Sequence, residues 1–205
     1  MKKMQLFLGV LFVLFSFVTK AQVYILNEDF SSATGTTPPS GWSNVTVTGA
    51  ATDLWHFDNP GGRNLNFPIA NNFAIFDSRN LSDNAISEKA ILQTRSFDAS
   101  VSPNCLLSFD QVFAGGNGGV GTLEIFNGTS WIILDTYSDS SLETKSLIYN
   151  ISSIAGGITN AKLRFTWQAD AVSGFWAIDN IRIYSPLSRD AGLLSVTAPQ
   201  MPFAE

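Results

Sequence analysis

A chain of 205 residues with 45% hydrophobic, 12% aromatic and only 14% charged residues is too apolar for a disordered polymer. Its formal net charge of −5 is also the wrong sign for gripping a phosphate backbone. An ordinary soluble domain carries roughly 25% charged residues, so an unusual share of this chain is free to build a core, and the length suits one domain with short extras.

The first stretch has the pattern of an export signal. Lys2 and Lys3 form a basic start and residues 6–18 are an apolar run. Thr19 and Ala21 then place small residues at the −3 and −1 positions of a cleavage site before Gln22. Thirteen residues at 1.5 Å each span about 20 Å, short of the roughly 30 Å hydrocarbon core, so a secretory signal peptide over residues 1–21 is expected and not a membrane anchor. Its removal takes Lys2, Lys3 and Lys20 and no acid, leaving 9 basic and 17 acidic residues, a formal charge of −8. The acidic balance favours divalent cations over nucleic acid as partners.

From Gln22 to Tyr184 the sequence is a series of short alternating runs rich in Val, Ile, Phe, Trp and Thr, divided by Gly, Asn, Ser and Asp clusters. Leu107, Phe109 and Phe113 mark a strand, residues 122–126 a second and residues 131–134 its hairpin partner across Asn127-Gly128-Thr129-Ser130. Asn-Gly suits such a turn because both residues tolerate φ > 0. Further strands are expected over residues 146–149, 161–167 and 175–184, the clearest being 161–167, where Leu163, Phe165 and Trp167 alternate with Lys162, Arg164 and Thr166. No amphipathic helix of useful length is legible, so many antiparallel strands over residues 22–185 imply an all-β, two-sheet sandwich. Residues 186–205 read as a linker and one further strand at 190–196, the opening of a following module.

Motifs for chemistry are few. Gly116 to Gly121 matches G-x-G-x-x-G, but that fingerprint needs a helix to follow, and Thr122-Leu123-Glu124-Ile125-Phe126 is strand-like. Asn44, Asn80, Asn127 and Asn150 begin Asn-x-Ser/Thr tripeptides, which chance and turn chemistry explain. Cys105 beside Leu106 and Leu107 reads as a buried inert thiol, and His56, the sole histidine, sits between Trp55 and Phe57 as a core residue.

The carboxylates are more informative. Glu28, Asp77 and Asp179 lie in or beside apolar runs, where a carboxylate must be paired, hydrogen-bonded or on a metal. Calcium drawing oxygen ligands from distant segments meets that need, and a structural Asp capping a turn before Asn180 meets it equally. As glycosidase acids, Glu28, Glu124 and Asp179 would have to supply a facing pair about 5–9 Å apart. Among five tryptophans, Trp167 and Trp176 follow a buried pattern, while Trp42 and Trp131, next to turns, are candidate exposed platforms for sugar rings.

In order, Glu28-Asp29-Phe30, Pro38-Pro39-Ser40-Gly41-Trp42, Ala90-Ile91-Leu92-Gln93-Thr94, Leu107-Ser108-Phe109-Asp110 and Phe175-Trp176-Ala177-Ile178-Asp179-Asn180-Ile181 resemble the gingipain-type cleaved adhesin, or choice-of-anchor, domains. These are MAM-like jelly rolls of secreted Bacteroidetes proteins, and the likeness runs from about Glu28 to Tyr184. The family's I-D-D-[IV] is Ile178-Asp179-Asn180-Ile181 here, so a metal site would lose one charge. The resemblance implies a jelly-roll sandwich with structural calcium, to which Glu28 and Asp179 are carried over as ligands and Asp77 is added as a third. It also implies an adhesion or accessory module of the cell exterior, and Asp190-Ala191-Gly192-Leu193-Leu194 is similar to the start of an Ig-like repeat. Such proteins end in a type IX secretion sorting domain, so a piece of a longer surface protein is expected. The leading expectation is a secreted, non-catalytic module that binds a glycan or an extracellular protein. The runner-up is a glycoside hydrolase, and the third reading a structural spacer.

Overall fold

The computed structural model describes residues 22–69, 72–80, 87–116, 118–171 and 173–186. The expected signal peptide at 1–21 and the strand at 190–196 lie outside these residues. Two five-stranded antiparallel sheets face each other, as the alternating runs imply. The first contains β1 (Tyr24–Glu28), β10 (Phe175–Tyr184), β5 (Leu106–Ala114) and β8 (Lys145–Asn150) in that order, with β3 (Ala74–Asp77) sharing the edge of β10 used by β1. The second runs β2 (Ser43–Thr48), β4 (Glu88–Gln93), β9 (Lys162–Ala169), β6 (Val120–Phe126) and β7 (Trp131–Tyr137). The architecture is a jelly-roll sandwich, and the helical content described is one turn, α1 (Ser152–Ala155), with a short 3-10 turn at Ser78–Asn80.

The core between the sheets is aromatic because alternate residues of both sheets point into it. Phe165 and Trp167 of β9 meet Phe113 of β5, Trp176 of β10 and Phe76 of β3, with ring centroids 5.6–5.8 Å apart. Buried indole N–H groups need acceptors, which accounts for two buried polar side chains. Trp167 donates to Glu88 Oε1 at 2.8 Å, and Trp176 to Gln111 Oε1 at 2.8 Å. The edge between the sheets is tied by Tyr149, whose hydroxyl lies 2.6 Å from Asp135 Oδ2 and 2.7 Å from the Tyr137 hydroxyl.

The two outer faces are unlike. A second apolar cluster of Ile69, Phe73, Ile75, Val112, Phe175 and Ala177 lies on the back of the first sheet, with Leu65 packed against it. The part of that face over β3, β5 and β10 is therefore covered, and the first five residues of β10 are buried on both sides, while Ile148 of β8 stays 67% exposed. No such layer covers the second sheet among the described residues: β2, β7 and alternate positions of β4, β6 and β9 stay open or half-open.

The expected hairpin forms between β6 and β7. The Asn127 side chain accepts from Thr129 N at 3.0 Å and Ser130 N at 2.9 Å, and Gly128 takes φ 92°, a left-handed backbone that glycine adopts without strain. The glycine cluster feeds β6 and no helix, so the dinucleotide fingerprint is accidental. Cys105 is fully buried, its thiol donates to Ser102 O at 3.0 Å, and burial pushes its pKa up, as an inert core thiol requires.

Candidate functional site

The open face of the second sheet presents its side chains in cross-strand rows. One row reads Ser43, Gln93, Arg164, Glu124 and Ile133 from β2 to β7. Its neighbour reads Val45, Ile91, Thr166, Thr122 and Thr136. At one end Lys162, Phe126 and Trp131 lie side by side; at the other, Lys89 faces Gln168. The alternation that sends Leu163, Phe165 and Trp167 into the core sends Lys162, Arg164 and Thr166 onto this face.

Trp131 is the aromatic centre of the face. The Arg164 guanidinium sits 4.2 Å from its ring centroid, and Phe126 packs at 5.4 Å with the planes 47° apart. With one ring face taken by Arg164 and the residue still half-exposed, the other face and edge look outward. Arg164 is itself clamped: its Nε and Nη2 donate to Glu124 Oε2 and Oε1 at 2.5 and 2.6 Å, and Thr166 Oγ1 lies 3.4 Å from the same carboxylate. A bidentate fork of this kind fixes the guanidinium plane, so the indole resting on it is held before any ligand arrives. Ile133, 62% exposed, and Val45, 44% exposed, extend the apolar surface on either side of the threonines and Gln93. The result is a rigid aromatic plate beside hydrogen-bonding side chains, the combination that a polyhydroxylated ring with apolar C–H faces requires.

The other residues singled out from the sequence go elsewhere. Trp42 is not an exposed platform: it is 8% exposed, and its ring meets Phe30 edge-on at 5.5 Å within the core. The turn that suggested exposure, closed by Trp42 N donating to Pro39 O at 3.0 Å, tucks the indole inward instead. Asp77 is buried, but Arg63 takes both of its oxygens, Nε at 2.8 Å and Nη2 at 2.7 Å. Glu28 on β1 stands opposite Ile181, two residues from Asp179 on β10. Its Oε1 accepts from Phe30 N at 2.7 Å, and burial raises its pKa. Asp179 Oδ1 accepts from Asn180 N at 2.6 Å, and Asn180, at φ 53°, donates from Nδ2 to Asp110 Oδ2 at 2.9 Å.

Calcium takes six to eight oxygen ligands. Asp77 is spent on Arg63, and no three acidic, histidine or cysteine side chains among the described residues are grouped to hold an ion. Glu28, Asp77 and Asp179 therefore do not fit a calcium site as a trio. Of the three candidate glycosidase acids, Glu124 stands apart on the open face of the second sheet, bound to Arg164, while Glu28 and Asp179 lie on adjacent strands of the first. Trp131, expected from the sequence as an exposed platform, lies partly open on this face, while the Arg164 and Glu124 beside it were not read together with it. The signal was available in the period-two pattern, since both residues fall on the wet side of neighbouring strands.

No protein-family model and no curated relative matches the chain. Solved structures match its fold. The K3 cleaved adhesin domain of Lys-gingipain from Porphyromonas gingivalis is similar with a TM-score of 0.58 at 14% identity, over 81% of this chain and all of that one. The K1 cleaved adhesin domain of the same protein gives 0.54 at 10% identity, covering 78% of this chain and 98% of its own. TmCBM61, solved in complex with β-1,4-galactotriose, gives 0.54 at 14% identity, over 80% of this chain and 99% of that one. At these identities the likeness shows a shared β-sandwich fold.

Proposed function

We propose that this domain is a non-catalytic glycan-binding module of the cell exterior, and that it binds through the open face of the second sheet. The observation that carries the reading is the partly exposed Trp131, held by the Arg164–Glu124 fork beside Thr122 and Gln93. Support comes from the fold shared with a module solved with a galactose trisaccharide. Export rests on the signal-like residues 1–21, and no helix among the described residues is long and apolar enough to cross a membrane. Affinity electrophoresis of the full chain through gels containing soluble polysaccharides tests the reading. Retardation by at least one polysaccharide, abolished by Trp131→Ala, is expected, whereas free migration through every gel would refute it.

A further inference from the structure

We propose that the ligand of this face is a linear anionic polysaccharide, carrying carboxylate or sulfate groups; the proposal rests on the glycan-binding reading above and names its substrate class. From Gln22 to the end the chain has 9 basic and 17 acidic residues. Three of those bases, Lys89, Lys162 and Arg164, project from the open face, against a single acid there among the described residues, Glu124. The rest of residues 22–205 therefore carries six bases against sixteen acids. A face with a local excess of positive charge on an otherwise acidic protein attracts anions to itself, while the remaining surface repels them.

The arrangement divides the work. Arg164 and Glu124 cancel, and their fork serves to hold Trp131. Lys89 and Lys162 have no ion-pair partner among the described residues, and both are half-exposed. Lys162 Nζ lies over the Phe126 ring at 6.0 Å, next to the aromatic plate, while Lys89 stands opposite Gln168 at the far end of the sheet. Lys162 and Gln168 are six residues apart on β9, about 20 Å at roughly 3.3 Å per residue, a distance several sugar rings long. A chain lying along β9 would meet a cation at each end, an indole near one of them and the Thr122 hydroxyl between. A hydroxyl in the middle and one aromatic plate suit sugar rings better than stacked bases, which need several aromatic platforms.

The test is a titration of the full chain with polygalacturonate, λ-carrageenan, β-1,4-galactan and galactomannan at 20 and 200 mM NaCl, with an oligo(dT) control. Tighter binding of an anionic polymer than of its neutral counterparts, by about tenfold or more at low salt and weakening at 200 mM, is expected. Each of Lys89→Gln and Lys162→Gln should weaken that binding about fivefold, the factor that one unit-charge contact at about 4 Å carries in water. Thermal melts check that each variant is folded. Preference for polygalacturonate or for carrageenan identifies the anion as carboxylate or sulfate, and either supports the proposal. Equal, salt-independent binding of galactan and polygalacturonate overturns the proposal and leaves the glycan reading standing. Failure to bind any polysaccharide overturns both. Oligo(dT) binding as tight as that of the anionic glycans shows a generic polyanion surface and also overturns the proposal.

Discussion

Trp131 and Trp42 both lie beside turns, yet the structure assigns them opposite duties, and truncating each to alanine separates binding from folding. Trp131 is half-exposed and touches Arg164 and Phe126. An exposed cation–π contact is worth about 0.5–1 kcal/mol and an aromatic pair about 0.5–1.5 kcal/mol, so Trp131→Ala should cost roughly 1–2 kcal/mol of stability. At about 2–4 °C per kcal/mol for a chain of this size, Tm should fall about 2–8 °C. A tryptophan at the centre of a binding surface is worth about 2 kcal/mol or more, so polysaccharide affinity should fall about 30-fold. Trp42 is 8% exposed and packs edge-on against Phe30. Its truncation should cost about 3–5 kcal/mol, as core aromatics do, and the fraction that remains folded should bind as the parent does. Differential scanning fluorimetry and affinity electrophoresis on the same samples read both quantities. Parental affinity in Trp131→Ala, or lost affinity in folded Trp42→Ala, would refute the assignment of the two residues.

Two further predictions follow from the buried carboxylates. Arg63→Met strands Asp77, whose side chain is 2% exposed, without its bidentate partner. The loss should be about 3 kcal/mol, the low end of the range for a broken buried pair because Arg63 is itself 29% exposed. Adding Asp77→Asn should recover part of it, and a drop below about 1 kcal/mol in urea unfolding would show that the pair is solvated and weak. Glu88 is buried beside Asp53 and Asp77, and desolvation raises its pKa above the ordinary 4.5 against the opposing hydrogen bonds from Ser78 and Trp167. A raised carboxyl takes up its proton in the folded state first, so its charged form costs stability above the raised value, and the cost fades as pH falls towards 4.5. Glu88→Gln keeps an oxygen acceptor for Trp167 and removes the charge. The variant should therefore melt above the parent at pH 7, by a margin that shrinks towards pH 4.5; a margin independent of pH would show that Glu88 is neutral throughout.

How much was legible depended on whether a strand has one wet face. β9 was plain because Lys162, Arg164 and Gln168 keep to the solvent side while Leu163, Phe165 and Trp167 fill the core. β10 was legible only as an apolar run, because the cluster around Ile69 and Phe73 covers its back and erases the alternation. β2 gave almost no signal: Ser43–Thr48 is an edge strand. Its Asn44 bonds the backbone of Trp55, donating to O at 2.8 Å and accepting from N at 3.1 Å. An asparagine that stitches a loop to a strand looks in the sequence like any turn residue. The partner of Asp77 was hidden for a related reason. Arg63 lies fourteen positions upstream in a segment without regular structure, and no periodicity links the two.

The same segment explains why the two outer faces of the sandwich differ. Leu65, Ile69 and Phe73 lie on the back of the first sheet, so the fold spends apolar residues there as a second core layer. An antiparallel sheet can leave one face to water, and here the second sheet does so. Its outward positions had to be polar or tolerant of exposure, which accounts for the threonines, Gln93, Gln168 and the charged residues. Solvation alone does not account for Trp131, which lies between the Arg164 guanidinium and Phe126 on this face. Nor does it account for a guanidinium fork built under an indole at the expense of its own freedom. A surface kept rigid, partly apolar and positively biased in an acidic chain is costly unless something else covers it, and a polysaccharide chain matches all three properties.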